Sequence, residues 1–232
     1  MAPAADDPSA HIARILSGYE TAADDFVART AGLPEGCPRD FLNRLVGSLS
    51  KPVLDVGAGA ARDTRRLAQW SHAVTAVEPV PSLHRAGKQR CGTLPVRWAD
   101  AALPTLRTRD SSLRPSSYRV IVVNGVWHHV PPEARETALR RLSQLLAPRG
   151  RLILSIRHGP TPAARPGFPV NRLSTLCMAG RHGLAPRSTH ERPSLQAANL
   201  RLGVSWTWLV LERLSPPGRS SRRSRQPRRA GR

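Results

Sequence analysis

The chain has 232 residues, 36 Lys and Arg against 16 Asp and Glu, and a formal net charge of +20. With 40% hydrophobic and 22% charged residues it can bury a core, which excludes a wholly disordered chain. No apolar run approaches the ~18 residues that a membrane-spanning helix needs, and the charge is uneven: residues 1–50 carry a net of −3, residues 151–232 a net of +14, with seven arginines from Arg219 to Arg232.

Cys37, Cys91 and Cys177 are scattered and form no C-x-x-C pair. That predicts a reducing compartment, no disulfide framework and no metal site. The N-terminus carries Asp6 and Asp7 and lacks the basic-then-apolar pattern of a signal peptide. The expected location is cytoplasmic, with no membrane partner.

Residues 1–50 read as an N-terminal helical cap, with Ile12, Ile15 and Leu16, then Phe41, Leu42, Leu45 and Val46, recurring at helical spacing before Lys51-Pro52. The pattern then changes to short β-branched runs alternating with helical stretches. Strands are predicted at 53–56, 73–77, 95–98, 120–123 and 152–156, and helices at 60–70 and 81–90. Another helix starts near Pro132, with the stripe Ala138, Leu139, Leu142, Leu145 and Leu146 ended by Pro148 and Gly150. The run 120–123 is the most apolar, as a central parallel strand covered on both faces requires. Residues 104–118 read as a polar surface insertion, and 159–169, with four prolines in eleven positions, as a loop or lid. A helix over 173–181 and a strand over 203–211 complete the domain. These alternations predict an α/β, Rossmann-like, doubly wound sheet over 51–214, mostly parallel with an antiparallel C-terminal strand and helices on both faces. Residues 215–232 read as a disordered Arg-rich tail.

The segment Val53-Leu54-Asp55-Val56-Gly57-Ala58-Gly59-Ala60-Ala61 runs from a strand through a small-residue turn into a helix. Such a turn lets the backbone approach a ligand, and the helix start offers unpaired N–H groups. Glycines that merely close a tight βα turn would look the same. Glu78 ends the second strand, where a carboxylate can accept from a ribose diol, and Asp100 follows the third, placed to receive an adenine amino group. A dinucleotide loop of the G-x-G-x-x-G kind requires glycine where Arg62 stands.

Asp55-x-Gly57-x-Gly59, Val77-Glu78-Pro79 and Trp98-Ala99-Asp100 resemble the first three motifs of class I S-adenosylmethionine-dependent methyltransferases. Val122 to Pro131 and Leu146 to Ser155 are similar to the fourth and fifth, and Arg157-His158-Gly159-Pro160 narrows the likeness toward a bacterial subgroup. The resemblance implies S-adenosyl-L-methionine as cofactor. Asp55, Gly57, Ala58 and Gly59 would hold its methionine portion, Glu78 and Pro79 its ribose, Asp100 and Ala101 its adenine, with Asn124 beside the methyl donor. Two positions depart from the family: Ala61 replaces the third loop glycine, and Arg149 a glycine ahead of Gly150.

Methyl transfer needs an aligned nucleophile and, where that nucleophile is protonated, a base. His128 and His129 follow the central strand, and either suits such a role; packing under the next helix is the alternative. Trp127, Arg157 and His158 are candidate substrate contacts, Arg157 and His158 for an anionic group, with a solvated strand end as the alternative for that pair. The predicted activity is methyl transfer to an O, N or C nucleophile of a small molecule. A non-catalytic cofactor-binding protein, or an RNA- or DNA-directed methyltransferase using the basic tail, are the alternatives. The tail lacks interleaved aromatics and no RNA-binding signature stands beside the sheet, so nucleic acid is not the favoured partner.

Overall fold

The computed structural model describes residues 8–31, 33, 44, 46, 51–70, 72–108 and 112–215. Phe41, Leu42, Leu45, Cys37 and the tail from 216 onward lie outside the described residues.

The chain opens with two helices, α1 (Pro8–Thr21) and α2 (Ala23–Ala31). The alternation then runs β1 (Pro52–Val56), α3 (Arg62–Gln69), β2 (Ala73–Val77), α4 (Pro81–Cys91), β3 (Val96–Ala99) and β4 (Tyr118–Val123). Two 3-10 turns, Trp127–His129 and Pro132–Ala134, lead into α5 (Arg135–Leu145). There follow β5 (Leu146–His158), α6 (Arg172–Arg181), β6 (Leu184–Pro193), α7 (Ala197–Arg201) and β7 (Ser205–Arg213).

Seven strands form one sheet in the order β3-β2-β1-β4-β5-β7-β6. β1 through β5 are mutually parallel, and β7 runs antiparallel to both of its neighbours, as expected of the doubly wound class. Strand periodicity sorts the core onto two faces. Leu54, Val56, Ile121 and Val123 pack with Leu139, Leu142 and Leu145 of α5. Val53, Val120, Val122 and Ile153 pack on the opposite face with Leu67 and Ala68 of α3. β1 has β2 on one side and β4 on the other, so the strand order reverses between β1 and β4. Open α/β sheets bind ligands outside the carboxyl ends of the strands at such a point.

The structure differs from the sequence expectation in four places: Tyr118, expected in the insertion, opens β4; α7 was not expected; and β5 and β6 differ as follows. Leu146 belongs to β5, where it pairs with Tyr118, and α5 stops at Leu145. β6 was not anticipated, because LAPRSTHERP has no apolar alternation. As an edge strand with one neighbour it needs none: most of its residues are exposed, and Pro186 sits at a register shift.

Candidate active site

The glycine loop takes its shape from three consecutive odd positions in left-handed backbone: Gly57 at φ +70°, Gly59 at +55° and Ala61 at +60°. The Gly57 and Ala58 N–H groups both donate to the Val77 carbonyl, at 2.8 and 3.0 Å, which ties the loop to the end of β2. A Cβ on Gly57 would stand 2.3 Å from Val126 Cγ2, so the close passage of the following turn requires glycine.

Two carboxyl groups support this loop from below. Glu78 is 4% exposed; its Oε2 accepts from the Gly59 N–H at 2.7 Å and its Oε1 from the Val80 N–H at 2.9 Å. Asp55 is 2% exposed, and its Oδ2 accepts from Thr64 Oγ1 of α3 at 2.6 Å. Burial raises both to a pKa of about 7, aided at Asp55 by the neighbouring Asp63 charge and opposed at Glu78 by its two backbone hydrogen bonds. Asp63 Oδ2 accepts from Asn124 Nδ2 at 2.8 Å, while its Oδ1 lies 3.4 Å from Arg62 Nε. Asn124 Oδ1 accepts from Ser155 Oγ at 3.2 Å. The ends of β4, β5 and α3 are thereby fastened around the loop.

Above the loop lies a cavity of about 460 Å³, within the range of small-molecule sites. Asp55, Gly57, Ala58, Gly59, Glu78, Pro79, Ala101 and Asn124 line its floor. Its apolar wall comes from the N-terminal helices, through Ile12, Ile15, Leu16, Tyr19 and Phe26. Those helices are seated by Ala23, Val80 and Leu83, against which Leu16, Tyr19, Phe26 and Val27 pack. The 159–169 loop closes another side, contributing Thr161, Pro162 and Arg165.

His128 and His129 both line the cavity. His129 Nδ1 stands 2.8 Å from the Pro166 carbonyl, which can only accept, so Nδ1 carries the proton and Nε2 is left to accept. Its partner is the Tyr19 hydroxyl at 3.0 Å. Burial lowers the His129 pKa to about 4 and that of His128 to about 2, so both rings are neutral near pH 7. Burial raises the Tyr19 hydroxyl, against the nearby charge of Arg165. His128 Nδ1 is buried without a hydrogen-bond partner among the described residues.

Three predicted site residues stand elsewhere. Trp127 is fully buried in the main core cluster and does not line the cavity, because the 3-10 turn directs the indole under the sheet. His158 is exposed and bonded to Thr207 Oγ1 at 2.7 Å, on the side of β5 away from the cavity. Asp100 is exposed at the end of β3 and lies outside the cavity wall, whereas the next residue, Ala101, belongs to it. Tyr19, Phe26, Arg165, Asn199 and Trp206 line the cavity unannounced by any motif. The available signal was the stripe Ile12, Ile15, Leu16, Tyr19, which places a hydroxyl at the end of an apolar helix face.

Among the described residues no helix is long and apolar enough to cross a membrane, and no group of three His, Cys, Asp or Glu side chains could hold a metal ion.

Residues 53–150 match the family model described as a methyltransferase domain. Over that stretch the chain is similar to a methyltransferase domain, a likeness with which the strand order and the glycine loop agree. It is 32% identical to methyltransferases of Mycobacterium bovis and Mycobacterium tuberculosis that carry the description uncharacterized; the match runs over 128 residues, 55% of this chain and 60% of the relatives' length. The chain thus spans less than two thirds of the curated relatives it matches. Among solved structures, the 1,6-didemethyltoxoflavin-N1-methyltransferase of Burkholderia thailandensis superposes with a TM-score of 0.71 at 23% identity, covering 93% of each chain. A [4+2]-cyclase superposes at 0.65 and 12% identity, over 86% of this chain and 95% of its own. At these identities the superpositions establish the fold.

Proposed function

We propose that the protein transfers the methyl group of S-adenosylmethionine to a nucleophile on a small molecule. One observation carries this reading: a single cavity joins the glycine loop, with Asp55 and Glu78, to the Tyr19–His129 pair. The cofactor fits the floor chemically. Its sulfonium and ammonium groups are cationic, and the floor presents three buried carboxyl groups, Asp55, Glu78 and Asp63. Asp55 with the loop from Gly57 to Gly59 would hold the methionine portion, Glu78 and Pro79 the ribose, Ala101 the adenine. Exposed Asp100 would serve from the rim. When bound, the cofactor supplies an electrophilic methyl group whose leaving thioether is neutral.

The chain's own contribution is orientation and proton removal. Asn124, pinned between Asp63 and Ser155, sets the edge of the floor next to β4. His129, fixed through Nδ1–H on Pro166, can take the Tyr19 proton on Nε2 as the Tyr19 oxygen takes one from the acceptor. A small acceptor is favoured because α1, α2 and the 159–169 loop wall the cavity, and a polymer would have to displace them. The Burkholderia thailandensis structure carries a bound small molecule, 1,6-didemethyltoxoflavin, alongside S-adenosylhomocysteine.

The test is transfer of label from methyl-labelled S-adenosylmethionine into a fractionated extract of the native host. Label in a small-molecule fraction is expected. Label recovered only in RNA, DNA or protein would overturn the small-acceptor reading.

A further inference from the structure

Two arginines in the cavity have no counter-ion among the described residues. Arg157, near the end of β5, and Arg165, in the 159–169 loop, both line it and are both half-buried. Neither forms a salt bridge among the described residues, whose ion pairs lie elsewhere. The acidic groups of the cavity wall, Asp55, Asp63 and Glu78, are all on the floor and already engaged with Thr64, Asn124, Gly59 and Val80.

Each guanidinium is braced by an aromatic ring. Arg157 lies over Trp206, 5.4 Å from the ring centroid, and Arg165 over Tyr19 at 4.9 Å. Arg157 also donates from Nε and Nη2 to the Pro160 carbonyl, at 3.2 and 2.6 Å, and from Nη2 to Asn199 Oδ1 at 3.3 Å. Its Nη1 donors and the whole guanidinium of Arg165 make no hydrogen bond among the described residues. The two cations repel one another, and both depress the basicity of His129. An unpaired, partly desolvated cation pair is unfavourable on its own, and an anion seated between the two would relieve it. The ring stacking holds the forks in place for such an anion rather than leaving them to sweep solvent.

We infer that the methyl acceptor is an anion, carrying a carboxylate or phosphate that docks on Arg157 and Arg165 and brings an apolar body against the α1 wall beside Tyr19. This rests on the methyltransferase reading above. The docked charge would offset the field of the two arginines at His129, so its proton-accepting nitrogen gains basicity when the acceptor binds.

The test uses the full chain and calorimetry with defined probes: benzoate and phenyl phosphate against their uncharged counterparts benzamide and phenol. Each is titrated with and without S-adenosylhomocysteine, into the native protein, R157Q/R165Q and R157K/R165K. Preference of the native protein for an anion over its uncharged counterpart is expected, lost by about tenfold or more in the glutamine variant and partly restored by lysine. The stronger of the two anions distinguishes carboxylate from phosphate. Retained S-adenosylhomocysteine binding, with the native melting temperature, shows that the variant is folded. Equal binding of charged and uncharged probes, no binding of either anion, or unchanged anion affinity in the glutamine variant would overturn the inference. Failure to bind S-adenosylhomocysteine would instead count against the methyltransferase reading, with the arms lacking it still reporting on the anion site.

Discussion

The hydroxyl of Tyr19, on the first helix, donates to Nε2 of His129 at 3.0 Å across 110 positions of sequence. The N-terminal helices are thereby tied to the turn after the central strand, and an acceptor in the cavity would meet a phenol already bonded to a neutral imidazole. Replacing His129 with Gln is expected to lower kcat by about a hundredfold, within the usual range for a general base, while S-adenosylmethionine affinity changes less than about twofold. Y19F should behave similarly, since it removes the oxygen through which the proposed proton relay runs. Steady-state rates on the identified acceptor, with calorimetric cofactor affinities, check both.

The pH profile follows from the buried imidazole. Burial lowers the His129 pKa to about 4, so the neutral, accepting form prevails above that value and is lost as pH falls through it. The profile of kcat/KM, which reports the free enzyme, should show no inflection from His129 between about pH 6 and 8. An inflection near 6.5 that vanishes in H129Q would contradict the burial argument.

The carboxyls of the floor make the ligand-free fold sensitive to alkali. Asp55 rises from an ordinary 3.8 to about 7 and Glu78 from 4.5 to about 7, chiefly through burial. A folded pKa above the unfolded one means that the native state holds extra protons between the two. Their stability contribution is therefore full below about pH 4 and lost as pH rises through about 7. D55N keeps an oxygen to accept from Thr64 and abolishes this ionisation. It should raise the melting temperature of the ligand-free protein by a few degrees at pH 8 and by much less at pH 5, while weakening the cofactor. Thermal melts at the two pH values decide this.

Ala61 and Arg149 are the positions where this chain departs from the glycines of the family that it resembles, and both sit at φ +60°. A side chain in left-handed backbone costs about 1–2 kcal/mol, against about 0.5–1 kcal/mol of extra chain entropy lost by glycine on folding. A61G and R149G should each therefore stabilise by up to about 1 kcal/mol, read from urea denaturation midpoints. A61G keeps the loop path and should leave cofactor binding intact or tighter.

Gly18 seats α1 on the 159–169 loop: a Cβ there would stand 1.9 Å from the Ala164 carbonyl oxygen. In an exposed helix, Gly to Ala would gain about 1 kcal/mol. Here the contact is with backbone, so G18A should instead destabilise by about 1–3 kcal/mol and increase elastase cleavage after Ala163 or Ala164. Limited elastase digestion with mapping of the cut sites, beside urea denaturation midpoints, reads out both effects.

These residues also show what sequence can and cannot convey. Val53 to Val56, Ala73 to Val77 and Val120 to Val123 were legible as strands because interior parallel strands are apolar on both faces. The glycine loop with Glu78 was legible because a small-residue turn and a strand-ending carboxylate are local features. β6 was not, since an edge strand with solvent on most of its side chains has no hydrophobic period. Trp127 was misplaced because one residue's step around a 3-10 turn separates the cavity, which His128 lines, from the core. Tyr19 and Arg165 could not be paired with His129 and Arg157 from spacing alone: their meeting depends on how α1 and the proline-rich loop pack, a tertiary outcome that no local pattern encodes.

The measurement that bears most directly on the whole account is calorimetric titration of S-adenosylmethionine and S-adenosylhomocysteine into the full chain and into G57V. In G57V the added side chain must enter the space held by Val126, which lies 2.3 Å from the Cβ position. The account predicts one equivalent of either ligand bound by the native protein, and binding abolished in a G57V protein that still melts cooperatively. Absence of binding by the native chain, or undiminished binding by G57V, would contradict it.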